Sequence, residues 1–180
     1  MKSSSIGKGF GRVNLLGEHL DYNGGCVLPL QIDKSVTIKI EHKSDIEGIL
    51  IKSRNYKEEI LITNYSEKLN NWADFIIGSC DYFKKFYKTD ISNISVNIES
   101  NLPIGIGLSS SAATCVSMIR ALSNYFEISL DQSTMVKIAH CIENDFVGVG
   151  GGVMDQFVSV YGETDKALFL NTKNNDYKLI

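Results

Sequence analysis

The apolar residues of this chain change their spacing along its length, and this change limits the folds open to it. In three segments they alternate with polar residues, which predicts half-buried strands. These strand positions are Val36, Ile38, Ile40; Ile49, Ile51; and Ile94, Val96, Ile98. In three other segments they recur at helical spacing. These helical positions are Trp72, Phe75, Ile76, Ser79, Phe83, Phe86; Ala112, Val116, Ile119, Leu122, Phe126; and Met135, Ile138, Ala139, Ile142, Phe146. The order lacks a regular βαβ alternation, which predicts an α+β layer fold rather than a doubly wound parallel sheet.

Length and composition narrow the class of protein further. A chain of 180 residues fits one domain. No apolar run approaches the roughly 20 residues of a membrane-spanning helix, and the first residues lack a secretory signal core, so we expect a cytoplasmic protein that binds no membrane. The net charge is −3 and the sequence has no dense Lys/Arg block that would attract a polyanion, so we expect no nucleic-acid partner. Cys26, Cys80, Cys115 and Cys141 show no CxxC spacing, which indicates reduced thiols.

The segment Asn101 to Ala113, NLPIGIGLSSSAA, joins a predicted strand to a predicted helix. Its glycines allow a tight turn, and the first N–H groups of a helix are unpaired at the positive end of the helix dipole. Such a site suits a polyphosphate, and the oxygen of Ser111 could ligate magnesium. The alternative is a flexible loop followed by a capped helix. The chain contains neither a GxxxxGK[ST] nor a GxGxxG motif.

Polar residues are dense in GRVNLLGEHLDYNGG near the start of the chain. Glu18, His19 and Asp21 offer hydrogen-bonding groups at a spacing suited to several hydroxyls of one sugar. The alternative is a solvated surface loop.

A third cluster, ENDFVGVGGGVMDQF, places Glu143 before a glycine-rich bend and Asp155 after it. We expect Asp131 to cap the preceding helix and Gly148 to end it. Glu143 borders the buried face of that helix, where it could ligate magnesium or simply be solvated. Asp155 could accept a proton from a hydroxyl nucleophile, or it could be the N-cap of a helix that starts at Gln156.

Together, in this order and spacing, the three clusters resemble the signature of the galactokinases within the GHMP small-molecule kinase superfamily. GRVNLLGEHLDY is similar to the galactokinase-specific motif and differs in having Leu16 where isoleucine is usual. GIGLSSSAA is similar to the ATP loop of the superfamily, and GGVMDQF to the segment that carries the galactokinase catalytic aspartate. The resemblance extends from about Gly9 to Leu170. It implies an N-terminal GHMP kinase domain over 1–180, similar to ribosomal protein S5 domain 2, with functional segments at about 9–31, 101–113 and 143–157.

The resemblance also implies a function and its residues: the ATP-dependent phosphorylation of galactose at its 1-hydroxyl, with Mg²⁺. It makes Asp155 the base that receives the hydroxyl proton and Arg12 the stabiliser of the transition state. The implied sugar contacts are Arg12, Glu18, His19, Leu20, Asp21, Gly152 and Asp155. The implied ATP contacts are Ser53, Trp72, Gly105, Ile106, Gly107, Leu108, Ser109, Ser110 and Ser111. The implied magnesium ligands are Ser111 and Glu143.

Three other functions remain open at this point. The first is a non-catalytic galactose- and ATP-binding sensor, although such sensors carry a deletion in the serine–alanine part of the ATP loop, which is complete here. The second is an N-acetylgalactosamine kinase. The third is a mevalonate-like or homoserine-like kinase, against which GEHLDY argues. The family pattern continues into a C-terminal GHMP domain with a further glycine-rich motif and a sugar-contacting tyrosine. We expect that domain, which is missing here, to complete the site, and we expect the 180 residues alone to be a poor catalyst.

Overall fold

The structure is a computed structural model that describes residues 2–103 and 105–180, so Ile104 of the predicted ATP loop lies outside the described residues. The strands in these ranges are β1 (Ser4–Leu16), β2 (Cys26–His42), β3 (Ile49–Ser53), β4 (Glu58–Ile62), β5 (Ile94–Ser100), β6 (Leu168–Asn171) and β7 (Asp176–Leu179). The helices are α1 (Asp74–Tyr87), α2 (Ser110–Phe126), α3 (Gln132–Cys141) and α4 (Met154–Tyr161). A π-helical segment, Ile142–Val147, continues directly from α3.

The long strand β2 organises a mixed sheet of seven strands. Along one edge β2 pairs antiparallel with β1. Along its other edge it pairs antiparallel with β5 at residues 36–42 and with β6 at residues 26–27. Strand β3 runs parallel to β5 and carries β4 on its outer side, whereas β7 pairs with β6. Helices α2 and α4 pack against β1 and β2, and α1 and α3 pack against α2. The predicted α+β fold is therefore confirmed.

Glycines in β1 allow this strand to lie directly against the backbone of α2. A Cβ atom at Gly7 would stand 2.0 Å from the carbonyl oxygen of Ser117, and one at Gly9 would stand 2.1 Å from the carbonyl oxygen of Ala113. The close approach also lets the Ser117 hydroxyl donate a hydrogen bond to the Gly7 carbonyl oxygen at 2.9 Å. This packing fixes the next residues of β1, which include Arg12, beside the start of α2.

The three predicted strands and the three predicted helical segments all form, and most of their apolar residues build the core, whereas Phe86 near the end of α1 is exposed at 65%. Ile38, Ile40 and Val96 are fully buried on the sheet, and Phe83 and Tyr125 are fully buried on the helices. All four cysteines are free thiols. No helix in the described ranges is both long enough and apolar enough to cross a membrane.

Two helix boundaries differ from the prediction, and one is confirmed. Helix α1 begins at Asp74, so Trp72 precedes the helix instead of leading it. Helix α4 begins at Met154 with Val153 as its N-cap, so the interpretation of Asp155 as the N-cap of a helix starting at Gln156 is wrong. Asp131 does cap α3, because its side chain accepts a hydrogen bond from the Thr134 backbone N–H at 2.7 Å.

The packing of β1 on α2 leads to a testable expectation for Gly7→Ala. The added methyl group would meet backbone atoms that cannot rotate away, so we expect a loss of about 1–3 kcal/mol in the free energy of unfolding. Urea-induced unfolding followed by circular dichroism measures this loss. The matched control is Gly151→Ala, where a Cβ atom meets no other atom within 4 Å. Equal losses in the two variants would contradict the close packing of β1.

Candidate active site

Arg12 and Asp155 form an ion pair that joins β1 to the first turn of α4. The Nε and Nη2 atoms of Arg12 lie 2.8 and 2.7 Å from Oδ1 of Asp155. The two side chains are partly exposed, at 16% for Arg12 and 25% for Asp155. A carboxylate in the first turn of a helix is also stabilised by the helix dipole. The pair therefore presents a charged, ordered surface that remains open to a ligand.

The loop that leads into α2 is attached to Arg12 from the other side. The guanidinium Nη1 atom donates a hydrogen bond to the Gly107 carbonyl oxygen at 2.7 Å, and the Arg12 backbone N–H donates to the Leu108 carbonyl oxygen at 3.2 Å. Gly105 and Gly107 have positive φ angles of 76° and 72°, which favour glycine. A Cβ atom at either glycine would meet no other atom within 4 Å, and Ile106 between them is exposed. The turn is therefore tight, and the space around it is open.

Ser109 and Ser111, in the same segment, reach different carboxylates. The Ser109 hydroxyl donates a hydrogen bond to Oδ2 of Asp155 at 2.6 Å. The Ser111 side chain lies beside the Glu143 carboxylate instead, where it acts to lower the pKa of that carboxyl. The serine-rich sequence thus connects the start of α2 with Glu143 and Asp155, two of the three carboxylates in the third sequence cluster.

Glu143 lies in the π-helical segment, where the predicted third helix changes its hydrogen-bonding pattern. Its side chain is buried and accepts a hydrogen bond from Nε2 of Gln156, whose own Oε1 atom is buried without a hydrogen-bond partner among the described residues. Burial raises the pKa of the Glu143 carboxyl, and the charge of Asp155 adds to the rise, while hydrogen bonds from Ser111 and Gln156 oppose it. π-Helical segments are frequent at functional sites. Gly148, with φ of 86°, ends the segment as predicted.

Asp21 lies in the turn between β1 and β2, but its side chain caps α4. Oδ1 of Asp21 accepts hydrogen bonds from the backbone N–H groups of Val153 and Met154, each at 3.0 Å. A Cβ atom at Gly152 would stand 2.2 Å from the Asp21 Cγ atom, so only glycine leaves room for this carboxylate. Burial raises the pKa of the Asp21 carboxyl, and the Asp155 charge adds to the rise. The hydrogen bonds from Met154 and Val153 and the charge of Arg12 act against it.

The other predicted sugar contacts lie on the exposed part of the same turn. Glu18, His19 and Leu20 are exposed to solvent. The His19 Nδ1 atom lies 2.6 Å from the Tyr22 hydroxyl oxygen, which orders the imidazole ring. This turn begins only after Leu16, the last residue of β1. The first half of the polar cluster is therefore part of a strand, and the interpretation of the cluster as a surface loop is wrong for that half.

A pocket of about 280 Å³ opens beside the start of α2. Ser53 and Trp72 line it together with Ser110 and Ser111, so residues from distant parts of the sequence meet there. Tyr56 stacks on Trp72 with ring centroids 5.0 Å apart and an angle of 7° between the ring planes. The indole Nε1 atom donates to Glu58 at 3.0 Å. The pocket therefore has one ordered aromatic wall.

The structure adds residues that the sequence did not single out. Gln156 is buried against Glu143, and its only sequence signal is an isolated amide within an apolar helix. Tyr56 supports Trp72 without any recognisable motif. Within the described residues no group of three or more His, Cys, Asp and Glu side chains is arranged to hold a metal ion.

Comparison with known families identifies the fold and the motifs. A model described as the GHMP kinases N terminal domain matches residues 74–163, and one described as the galactokinase galactose-binding signature matches residues 9–42. Since the first model matches half of the chain, the chain belongs to the GHMP kinases.

Within this family the resemblance to galactokinases is confirmed. The galactokinase of Thermosipho africanus is 43% identical over 171 residues, which cover 94% of this chain and 47% of that protein. The chain thus spans about half the length of the relative. A crystal structure of Lactococcus lactis galactokinase complexed with galactose superposes with a TM-score of 0.89 at 28% identity, covering 99% of this chain and 47% of the other.

The mevalonate kinase of Methanococcus jannaschii shares the fold more distantly. Its crystal structure superposes with a TM-score of 0.81 at 22% identity, covering 99% of this chain and 56% of the other. At that identity the likeness concerns the fold alone.

The raised pKa of Asp21 predicts a pH dependence of stability. A carboxyl with a raised pKa in the folded state binds its proton more tightly there than in the unfolded chain. Stability therefore falls as the pH rises from below the ordinary value of 3.8 to above the raised value. In Asp21→Asn this contribution is absent, whereas the amide oxygen can still accept hydrogen bonds from Val153 and Met154.

The measurement is the free energy of unfolding of both proteins in urea over a pH series. We expect the wild type to lose stability relative to Asp21→Asn as the pH increases through this range. A difference that stays constant with pH, or that changes in favour of the wild type, would show that the folded state does not raise this pKa.

Proposed function

We propose that this chain is the N-terminal half of a galactokinase, which transfers the γ-phosphate of ATP to the 1-hydroxyl of galactose and forms galactose 1-phosphate and ADP. The observation that carries the proposal is the convergence of Arg12 and Asp155 on the glycine-containing loop before α2. Phosphoryl transfer depends mainly on positioning and on neutralising charge in the transition state. A fixed guanidinium and a proton acceptor beside a phosphate-binding loop supply both requirements.

The sugar would bind between the turn after β1 and the start of α4. Arg12, Glu18, His19, Leu20, Asp21, Gly152 and Asp155 are the proposed contacts. The match of residues 9–42 to a galactose-binding signature supports this assignment, as does the similar Lactococcus lactis galactokinase, whose crystal structure contains galactose. Buried polar groups that pair with sugar hydroxyls would reject sugars lacking those hydroxyls.

The nucleotide would bind along the loop and the first turn of α2. Gly105, Ile106, Gly107, Leu108, Ser109, Ser110 and Ser111 form the proposed phosphate segment, in which unpaired N–H groups at the helix start favour an anion. Ser53 and Trp72 line the adjacent pocket, whose ordered aromatic wall suits a planar base. The helix start and the pocket adjoin each other, which supports one continuous ATP site.

The residues present fit a magnesium ion held by Ser111 and Glu143. Both offer hard oxygen ligands, and their side chains are already in contact. The unpaired Oε1 atom of Gln156 next to them is a further oxygen that could accept a hydrogen bond from a metal-bound water. Mg²⁺ usually binds one or two protein ligands together with substrate phosphates and waters, which agrees with so small a protein ligand set. When bound, the ion would neutralise charge on the ATP phosphates.

The proposed reaction is a displacement at the γ-phosphorus. The sugar O1 atom bonds to phosphorus while the bond to the bridging oxygen breaks, and the electron pair of that bond leaves with ADP. The proton of the 1-hydroxyl passes to Asp155. Arg12 neutralises negative charge on the transferring group and holds Asp155 in place. A C-terminal GHMP domain is the proposed partner that completes the site, and the free thiols suit a cytoplasmic enzyme.

The direct test is galactose-dependent release of ADP from MgATP by the complete enzyme, in which the C-terminal GHMP domain follows this chain. We expect Asp155→Asn to lower the rate by about 10²- to 10⁴-fold, because general-base assistance is lost, while galactose affinity measured by calorimetry stays unchanged. Glucose, N-acetylgalactosamine and mevalonate serve as alternative acceptors. Turnover with one of these instead of galactose would overturn the substrate assignment. Unchanged turnover in Asp155→Asn would overturn the role of the aspartate as a base.

Glu143→Gln tests the magnesium assignment. Loss of the carboxylate weakens the attraction for the cation, so we expect a higher Mg²⁺ concentration for half-maximal activity and weaker binding of MgATP relative to metal-free ATP. Both are obtained by titrating Mg²⁺ in the ADP-release assay and by calorimetry. The matched control is Glu163→Gln, because Glu163 is exposed and pairs only with Lys166. A magnesium titration identical to that of the control would rule out Glu143 as a ligand.

A further inference from the structure

Ser109 occupies the N-cap position of α2 but does not cap the helix. Its backbone is left-handed, with φ of 59° and ψ of 40°, and its side chain makes no capping hydrogen bond. A serine at an N-cap usually has an extended backbone and accepts a hydrogen bond from an N–H group of the first turn. Here the buried hydroxyl donates to Oδ2 of Asp155 instead. The strained backbone conformation directs the hydroxyl away from the helix and towards the carboxylate.

The hydrogen bonds to Asp155 leave one of its oxygens with free capacity. An ionised carboxylate has two acceptor positions on each oxygen. Two nitrogen atoms of Arg12 contact Oδ1, at 2.8 and 2.7 Å, and fill its positions. Among the described residues, Oδ2 accepts a hydrogen bond only from the Ser109 hydroxyl, at 2.6 Å. The open acceptor position of the carboxylate is therefore on Oδ2.

Resting on the galactokinase function proposed above, we propose that the side chain of Ser109 positions Asp155, so that Ser109 takes part in the proposed phosphate segment through its backbone and not through its hydroxyl. Its hydroxyl fixes the orientation of the carboxylate, so that the open position on Oδ2 is held for the sugar 1-hydroxyl. When O1 bonds to the γ-phosphorus and the bridging bond breaks towards ADP, the hydroxyl proton passes to that position. Oδ2 is then the atom that becomes protonated.

The two residues before Ser109 also join the loop to the Arg12–Asp155 pair. The Gly107 carbonyl oxygen accepts from the Arg12 side chain, and the Leu108 carbonyl oxygen accepts from its backbone N–H. Three consecutive residues of the loop thus contact Arg12 or Asp155. The segment that would hold the phosphates therefore also fixes the proton acceptor and its cation.

Ser109→Ala separates the two roles that the hydroxyl could have. As a positioning residue, its loss should lower the rate of galactose-dependent ADP release by about 10- to 100-fold, because small displacements of a reacting group cost this much. The affinities for MgATP and for galactose, measured by calorimetry, should stay within about twofold of the wild-type values. If the hydroxyl bound a phosphate instead, loss of that hydrogen bond to a charged group should lower the MgATP affinity roughly tenfold.

Two further variants control this experiment. Ser109→Gly also removes the hydroxyl but relaxes the left-handed backbone, so the same loss of rate in both variants attributes the effect to the hydroxyl. Ser123→Ala removes an equally buried hydroxyl at the other end of α2, which donates to Ile119, and should leave the rate unchanged. A drop in MgATP affinity of tenfold or more in Ser109→Ala, or an unchanged rate, would overturn the proposal.

A double-mutant cycle tests the contact without any activity. Ser109→Ala and Asp155→Ala remove the two partners separately and together, and the unfolding midpoint of the chain is measured for each variant. We expect the shift of the double variant to be smaller than the sum of the single shifts. Additive shifts would overturn the positioning contact. Coupled shifts in this chain, together with an inactive complete enzyme that includes the C-terminal GHMP domain, would refute the proposed function but not the contact.

Discussion

The ion pair between Arg12 and Asp155 is the interaction on which the site depends. The two residues are 143 positions apart in sequence, and their contact joins β1 to α4 while the same guanidinium binds the loop before α2. Since both side chains are partly exposed, such a pair contributes only about 0–1 kcal/mol to stability. The close packing of the β1 glycines on α2 holds the strand in place instead. The pair can therefore be organised for chemistry without being required for the fold.

Three carboxylates, those of Asp21, Glu143 and Asp155, lie close to this pair or belong to it, and their mutual repulsion disfavours the ionised forms. Burial raises the pKa of Asp21 and Glu143, and the charge of Asp155 raises both further. Groups with such perturbed titration are common at functional sites. Each carboxylate has a separate set of partners: two backbone N–H groups for Asp21, two side chains for Glu143, and Arg12 with Ser109 for Asp155. In the proposed function, this separation would let Asp21 contact a sugar, Glu143 a cation and Asp155 a reacting hydroxyl.

The sequence predicted the fold class and three of the seven strands because their apolar residues alternate clearly. It missed β1 because the inward positions of that strand are mostly glycines, such as Gly7 and Gly9, which carry no hydrophobic signal. It also missed β4, which has five residues, and β6 and β7, which have four each. Within the site, residue types and order indicated Arg12, Asp155 and Glu143. The burial of Gln156 against Glu143 and the left-handed conformation of Ser109 depend on tertiary contacts, which local sequence patterns do not encode.

We propose that this site holds the galactose 1-hydroxyl against Asp155, beside the phosphates of ATP. The most direct measurement is a crystal structure with galactose and a non-hydrolysable ATP analogue bound. The account predicts that the sugar O1 atom lies within hydrogen-bonding distance of Asp155 Oδ2, about 2.6–3.2 Å, and points towards the γ-phosphate. A different sugar hydroxyl facing Asp155, or galactose bound away from the Arg12–Asp155 pair, would contradict it.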